Sequence, residues 1–152
     1  FHEVFDAIGA EYPELEKEAW IVDIGAAKLA DTPTAFDVIV MPNLYGDIVS
    51  DLCAGLVGGL GVVGAANLGS DVGVFEAVHG SAPDIAGKNF ANPTALLLSA
   101  VLMLRHIDEG DAATRIMTAL NRVLEAGGAR TRDLGGTTST FGFADAVCRA
   151  IA

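Results

Sequence analysis

Apolar residues recur with helical spacing at the start of the chain, at Phe1, Val4, Phe5 and Ile8, and Pro13 interrupts the pattern. This predicts a helix over 1–9. The run AWIVD (19–23) is short and rich in strand formers, so it reads as a strand with Asp23 at its carboxyl end. A small helix is expected over 25–30, closed by the Asp-Thr-Pro turn at 31–33. FDVIVMP (36–42) is a nearly continuous apolar run of the kind buried on both faces of a sheet. Strand, helix and strand at this spacing predict a parallel α/β layer.

Further along, 47–56 reads as a helix and 58–73 as glycine-rich loop, and VGVFEAVHG predicts a strand ending at His79. A long helix is expected from Pro93 to about Ile107, with Asn92 as N-cap and Pro93 at the first helical position. A second spans 111–126 and is stopped by Gly127 and Gly128, and a glycine-rich loop then leads into a terminal helix. The composition shift near Gly58 marks the one candidate domain boundary.

At 152 residues, with 51% hydrophobic and 19% charged residues, the chain has the material for a sizeable core and the composition of a globular protein. The formal net charge of −11 argues against binding nucleic acid or an anionic membrane, both of which need a basic surface. It leaves carboxylates available to hold a cation. The two cysteines, Cys53 and Cys148, lack metal or redox spacing and suit a reducing compartment, with the cytoplasm the first expectation and the mitochondrial matrix the alternative. No apolar run approaches the length of a membrane span. The chain enters mid-pattern at a phenylalanine, which suggests a piece of something longer.

Three stretches could carry chemistry. Gly59-Leu60-Gly61-Val62-Val63-Gly64 matches the dinucleotide fingerprint by letter, yet a true fingerprint follows a strand and opens a helix. Here a helical pattern precedes it and loop follows. In NLYGDIVSD (43–51), Asp47 and Asp51 stand four apart, so a helix stacks them on one face, where like charges repel unless a cation neutralises them. Mg²⁺ or Mn²⁺ would suit these oxygens, with Asp23 the best third ligand. The alternative is that Asp47 caps its helix and Asp51 is a solvated surface charge. The third stretch, EAVHGSAPDIAGKNFANP (76–93), puts His79, Gly80, Ser81 and Asp84 in a loop just after a strand. Such a loop can offer N–H groups to phosphate and a carboxylate to a ribose diol, or serve only as a polar connection.

FDVIVMPNLYGDIVSDL and FEAVHGSAPDIAGKNFANPTALLLSAVLMLRH together resemble the metal-dependent β-decarboxylating dehydrogenases, the isocitrate and 3-isopropylmalate dehydrogenase family. The resemblance runs nearly end to end and covers roughly the carboxyl-terminal half of a family member. NLYGDIVSD and NPTALLLSAVLMLRH look more like the NAD-dependent isocitrate branch. It implies an α/β fold of that family's own type rather than a Rossmann fold, here its carboxyl-terminal portion with a mixed sheet flanked by helices. Residues 1–58 would belong to a small dimer-forming domain and 59–152 to the large domain with the NAD loop. Position by position, Asp47 and Asp51 match metal ligands on one helix. Asp23 matches the aspartate completing the neighbouring subunit's site, so a homodimer with shared active sites is implied. Asp23 and Asp47 count among the catalytic residues. Glu76 matches a residue near the nicotinamide; His79, Gly80, Ser81 and Ala82 match the loop around ribose and phosphates; Asn92 and Asp133 match adenosine contacts. Asp84 and Ile85 stand where NADP-dependent relatives tend to carry a basic and an aromatic residue, which implies NAD. The family's catalytic lysine would lie just before Phe1, with its tyrosine acid and substrate-gripping arginines further upstream, so the isolated chain is expected not to turn over substrate.

Overall fold

The computed structural model describes residues 1–151 and divides into two compact units, Phe1–Leu56 and Val57–Ala152. The first holds three helices, α1 (His2–Gly9), α2 (Val22–Asp31) and α3 (Asn43–Leu56). Helices α2 and α3 pack together, and Leu29, Val49 and Ala54 are the buried apolar side chains of this unit. Many large apolar side chains stay exposed, among them Ile24 on α2 and Leu44, Tyr45 and Ile48 on α3.

Both strands expected in this unit are absent. Residues 17–21 are irregular and α2 already begins at Val22, so Asp23 sits in a helical first turn and not at a strand's end. Residues 38–42 form no strand either, and Val38 is 83% exposed. A strand exists only when a neighbour takes up its backbone N–H and C=O groups, and β-branched composition cannot replace that partner. The parallel layer therefore gives way, among the described residues, to one two-stranded antiparallel sheet.

That sheet lies in the second unit and pairs β1 (Gly64–Leu68) with β2 (Gly73–Ala77). Strand β2 was expected; β1 falls within the glycine-rich stretch read as loop, whose Gly, Ala and Asn residues carry little strand propensity. Its pairing and a close approach to α4 (Thr94–His106) explain it. A Cβ on Gly64 would stand 2.5 Å from the Ser99 nitrogen and 2.8 Å from the Leu98 carbonyl carbon, so only glycine lets the strand lie this near the helix backbone.

Helix α4 packs on both strands and on α5 (Gly110–Ala126), which in turn packs on α6 (Thr140–Ile151). The core forms where these helices meet: Ala119, Leu120 and Val123 of α5 against Phe143 and Val147 of α6, with Leu97 and Leu98 of α4 packed beside them. Burying a side chain such as Phe143 or Leu120 contributes about 1.5–3 kcal/mol each. The helix ends are held by specific groups. Gly127, left-handed at φ 69°, donates its N–H to the Val123 carbonyl at 3.3 Å and stops α5. The Ser139 hydroxyl accepts from the Gly142 N–H at 3.1 Å and starts α6. The fingerprint-like glycines occupy a context opposite to a Rossmann loop: α3 ends before them at Leu56, and a 3₁₀ turn over Leu60–Val62 leads into β1.

Candidate functional site

Asp23, Asp47 and Asp51 sit on the two packed helices of the first unit, α2 and α3. Helix α3 starts at Asn43, four residues earlier than the sequence suggests, so Asp47 lies a turn inside and does not cap the helix. Its carboxylate instead accepts from the Asn43 side-chain amide at 3.4 Å. Asp51 follows one turn later, and both are exposed. Asp23, on α2, turns its carboxylate onto the neighbouring Ile24 N–H at 2.7 Å. Among the described residues no three acidic, histidine or cysteine side chains gather as a metal group would require, so one copy of the chain does not bring Asp23 to Asp47 and Asp51. What α3 offers is a pair of accessible carboxylates on one face, a donor set fitting a hard divalent cation that takes its remaining ligands elsewhere.

The second unit assembles the other constellation around the loop from β2 to α4. His79, Gly80, Ser81, Ala82, Asp84 and Ile85 are all exposed along it. The Ala82 carbonyl accepts from the N–H groups of Ile85 at 3.0 Å and Ala86 at 3.1 Å, which curls Asp84 and Ile85 into a tight turn. Ala82 itself adopts φ +42°, sparsely populated for a residue with a Cβ. Among the described residues, the N–H groups of Gly80, Ser81, Ala82 and Asp84 donate to no backbone carbonyl. Successive free N–H groups flanking a left-handed residue make the concave donor array that binds anions. His79 holds its Nδ1 at 3.0 Å from the Gly80 carbonyl.

The far end of this loop is clamped. Asn92 is buried, accepts the Thr94 N–H at 3.0 Å through Oδ1, and donates through Nδ2 to the Asp133 carboxylate at 2.8 Å. The Thr140 N–H donates to the Asn89 carbonyl at 3.1 Å, and the Phe141 N–H to the Asn89 side chain at 3.0 Å. Arg132 lies over the Phe90 ring, its guanidinium carbon 4.8 Å from the centroid. Thus the start of α6 and the turn at Arg132–Leu134 fix residues 89–92, while Gly80, Ser81, Ala82 and Asp84 keep free donors. Glu76, at the opposite end, is exposed on β2. Sequence reasoning named Asn92 and Asp133 separately; that they bind each other, 41 positions apart, has no local signal. A cavity of about 290 Å³ lined by Val62, Leu98, Met117 and Leu124, among others, contains none of the expected site residues.

The second unit thus presents an exposed strand-to-helix loop with free backbone donors, and the first unit a helix bearing two stacked aspartates. The isocitrate/isopropylmalate dehydrogenase family model matches residues 1–147, and the chain belongs to that family. It is 52% identical over 149 residues to the catalytic subunit 6 of mitochondrial NAD isocitrate dehydrogenase from Arabidopsis thaliana, an alignment covering 97% of this chain and 40% of the relative. An NADP isocitrate dehydrogenase from Rickettsia typhi is 54% identical over 127 residues, 84% of this chain and 26% of that protein. The solved isocitrate dehydrogenase of Methylococcus capsulatus superposes with a TM-score of 0.92 at 47% identity, across 98% of this chain and 44% of its own. A solved protein from Thermus thermophilus superposes at 0.95 with 45% identity, across 99% of this chain and 31% of its own. The chain therefore spans less than half the length of these relatives. Among the described residues no helix is long and apolar enough to cross a membrane.

Proposed function

We propose that the chain is the carboxyl-terminal portion of an NAD-dependent isocitrate dehydrogenase, which oxidises isocitrate and releases CO₂ to give 2-oxoglutarate with Mg²⁺ or Mn²⁺. The observation that carries this reading is the loop 79–92: free N–H groups at Gly80, Ser81, Ala82 and Asp84 to receive phosphate, ending at the fixed Asn92–Asp133 pair. In this reading Asp84 accepts hydrogen bonds from the ribose hydroxyls of NAD, and its charge disfavours a 2′-phosphate. Ile85 adds no compensating cation, and Asn92 and Asp133 frame the adenosine. Glu76 serves the nicotinamide end, and His79, Gly80, Ser81 and Ala82 the ribose and phosphates.

Asp47 and Asp51 hold the divalent cation, and Asp23 completes the site of a partner copy, so that residues 1–58 serve as part of a dimer-forming domain and 59–152 as the NAD-binding part. The cation supplies charge stabilisation for the ketone and enolate oxygens. Exposed apolar side chains on α2 and α3, including Ile24, Leu44 and Ile48, support a homodimer through this unit. The NAD enzymes from Arabidopsis thaliana, Schizosaccharomyces pombe and Bos taurus are described as mitochondrial, which favours the matrix over the cytoplasm.

NADP-dependent relatives match at similar identity, so cofactor choice rests on Asp84 and Ile85 and not on overall likeness. The test is to offer the complete polypeptide isocitrate, 3-isopropylmalate, homoisocitrate and tartrate in turn with NAD. Preferential turnover of isocitrate is expected; preference for 3-isopropylmalate would reassign the substrate.

A further inference from the structure

The outward face of the β1–β2 hairpin carries a contact that the cofactor loop does not explain. Ala65 pairs with Glu76 and Asn67 with Val74, so Asn67 and Glu76 are diagonal neighbours on one face. The Asn67 side-chain amide donates to the Glu76 carboxylate at 3.1 Å. On the opposite face, Phe75 packs against His106 of α4 with ring centroids 5.4 Å apart.

The backbone at Glu76 is held independently. Ser99 of α4 is 1% exposed; its hydroxyl donates to the Glu76 carbonyl at 2.6 Å and accepts the Ala65 N–H at 3.3 Å. One buried hydroxyl therefore ties both strands to the helix at the base of the Glu76 side chain. An exposed glutamate on such an anchor still has three rotatable bonds, and an unheld carboxylate would sample many positions. The Asn67 amide biases the carboxylate toward one arrangement by a hydrogen bond to a charged acceptor, stronger than a neutral one.

We infer that Asn67 is a positioning residue that orients the Glu76 carboxylate toward the nicotinamide end of the cofactor. This rests on the reading above, in which Glu76 faces the cofactor. An ordinary cross-strand surface pair would contribute only stability.

The experiment uses the complete enzyme and compares Asn67→Ala, Asn67→Gln, Glu76→Gln and the Asn67→Ala/Glu76→Gln double variant by cofactor KM, kcat and thermal midpoint. Asn67→Ala should raise the NAD KM about three- to tenfold, the scale of one ordinary hydrogen bond at an exposed site, with the isocitrate KM and midpoint nearly unchanged. Asn67→Gln, which keeps the donor, should recover most of the loss. The double variant should be no worse than Glu76→Gln alone. If Glu76→Gln weakens NAD while Asn67→Ala leaves every kinetic constant intact, the positioning role is overturned and the cofactor reading survives. A lowered midpoint with unchanged kinetics in Asn67→Ala overturns it in the same way. If Glu76→Gln itself leaves the NAD constants unchanged, the placement of Glu76 beside the cofactor falls, and this inference with it.

Discussion

The Asn92 side-chain amide donates to the Asp133 carboxylate at 2.8 Å while its carbonyl oxygen accepts the Thr94 N–H at 3.0 Å. A single buried side chain thus holds the first N–H of α4 and joins the end of the 79–92 loop to the turn before α6. Asn92→Ala removes both bonds and should destabilise the chain by about 1–3 kcal/mol, read from denaturant midpoints. A double-mutant cycle with Asp133→Ala should return a coupling of about 0.5 kcal/mol or more, whereas additive losses would show that the two residues act separately.

Glycine substitutions should act with opposite signs in the two units. Gly64→Ala drives a Cβ into the α4 backbone and should be strongly destabilising, because neither strand nor helix can yield without breaking other packing. Gly55 lies inside α3, and a Cβ added there would meet nothing within 4 Å, so Gly55→Ala should add about 0.5–1 kcal/mol of helix stability. Thermal melts of the two variants side by side check both signs.

Phe143 is fully buried among α5 and α6 side chains. Phe143→Ala should cost about 3–5 kcal/mol through lost burial and the cavity left behind, and Phe143→Leu markedly less. Equilibrium unfolding monitored by circular dichroism measures the difference.

Cofactor preference should move with two adjacent side chains. Exchanging Asp84→Lys and Ile85→Tyr together in the complete enzyme removes the charge that repels a 2′-phosphate and supplies one that attracts it. The ratio of kcat/KM for NAD to that for NADP should fall by about tenfold or more, a shift of about 1.4 kcal/mol. An unchanged ratio would place discrimination elsewhere.

The helices were legible because their signals are local. The apolar spacing and glycine stop of α5 depend only on neighbours in the chain; α4 begins at Thr94, with Pro93 at its N-cap where Asn92 was expected. The expected strands at 19–23 and 36–42 failed because a strand also needs a partner, which composition does not report. Strand β1 was missed for the converse reason: a Gly-Ala-Ala-Asn segment becomes a strand through pairing with β2 and contact with α4. At the candidate site, spacing placed Asp47 and Asp51 on one helix and residues 79–85 in a loop after a strand, as found. The hydrogen bonds of Asn92 to Asp133, Thr140 to Asn89, and Asn67 to Glu76 were not readable, since each joins positions whose proximity only the tertiary fold creates.

In the proposed function, Asp47 and Asp51 hold the cation for oxidation of isocitrate by NAD. The decisive experiment follows NADH and CO₂ formation from isocitrate by the complete enzyme, titrated with Mn²⁺, in wild type, Asp47→Asn and Asp51→Asn. Equal formation of NADH and CO₂ is expected in wild type. Each variant should require far more Mn²⁺ or lose at least about a hundredfold in rate, with thermal midpoints unchanged because both carboxylates are exposed on the helix. Undiminished, metal-saturable turnover in both variants, or no oxidation of isocitrate by the wild type, would contradict this role.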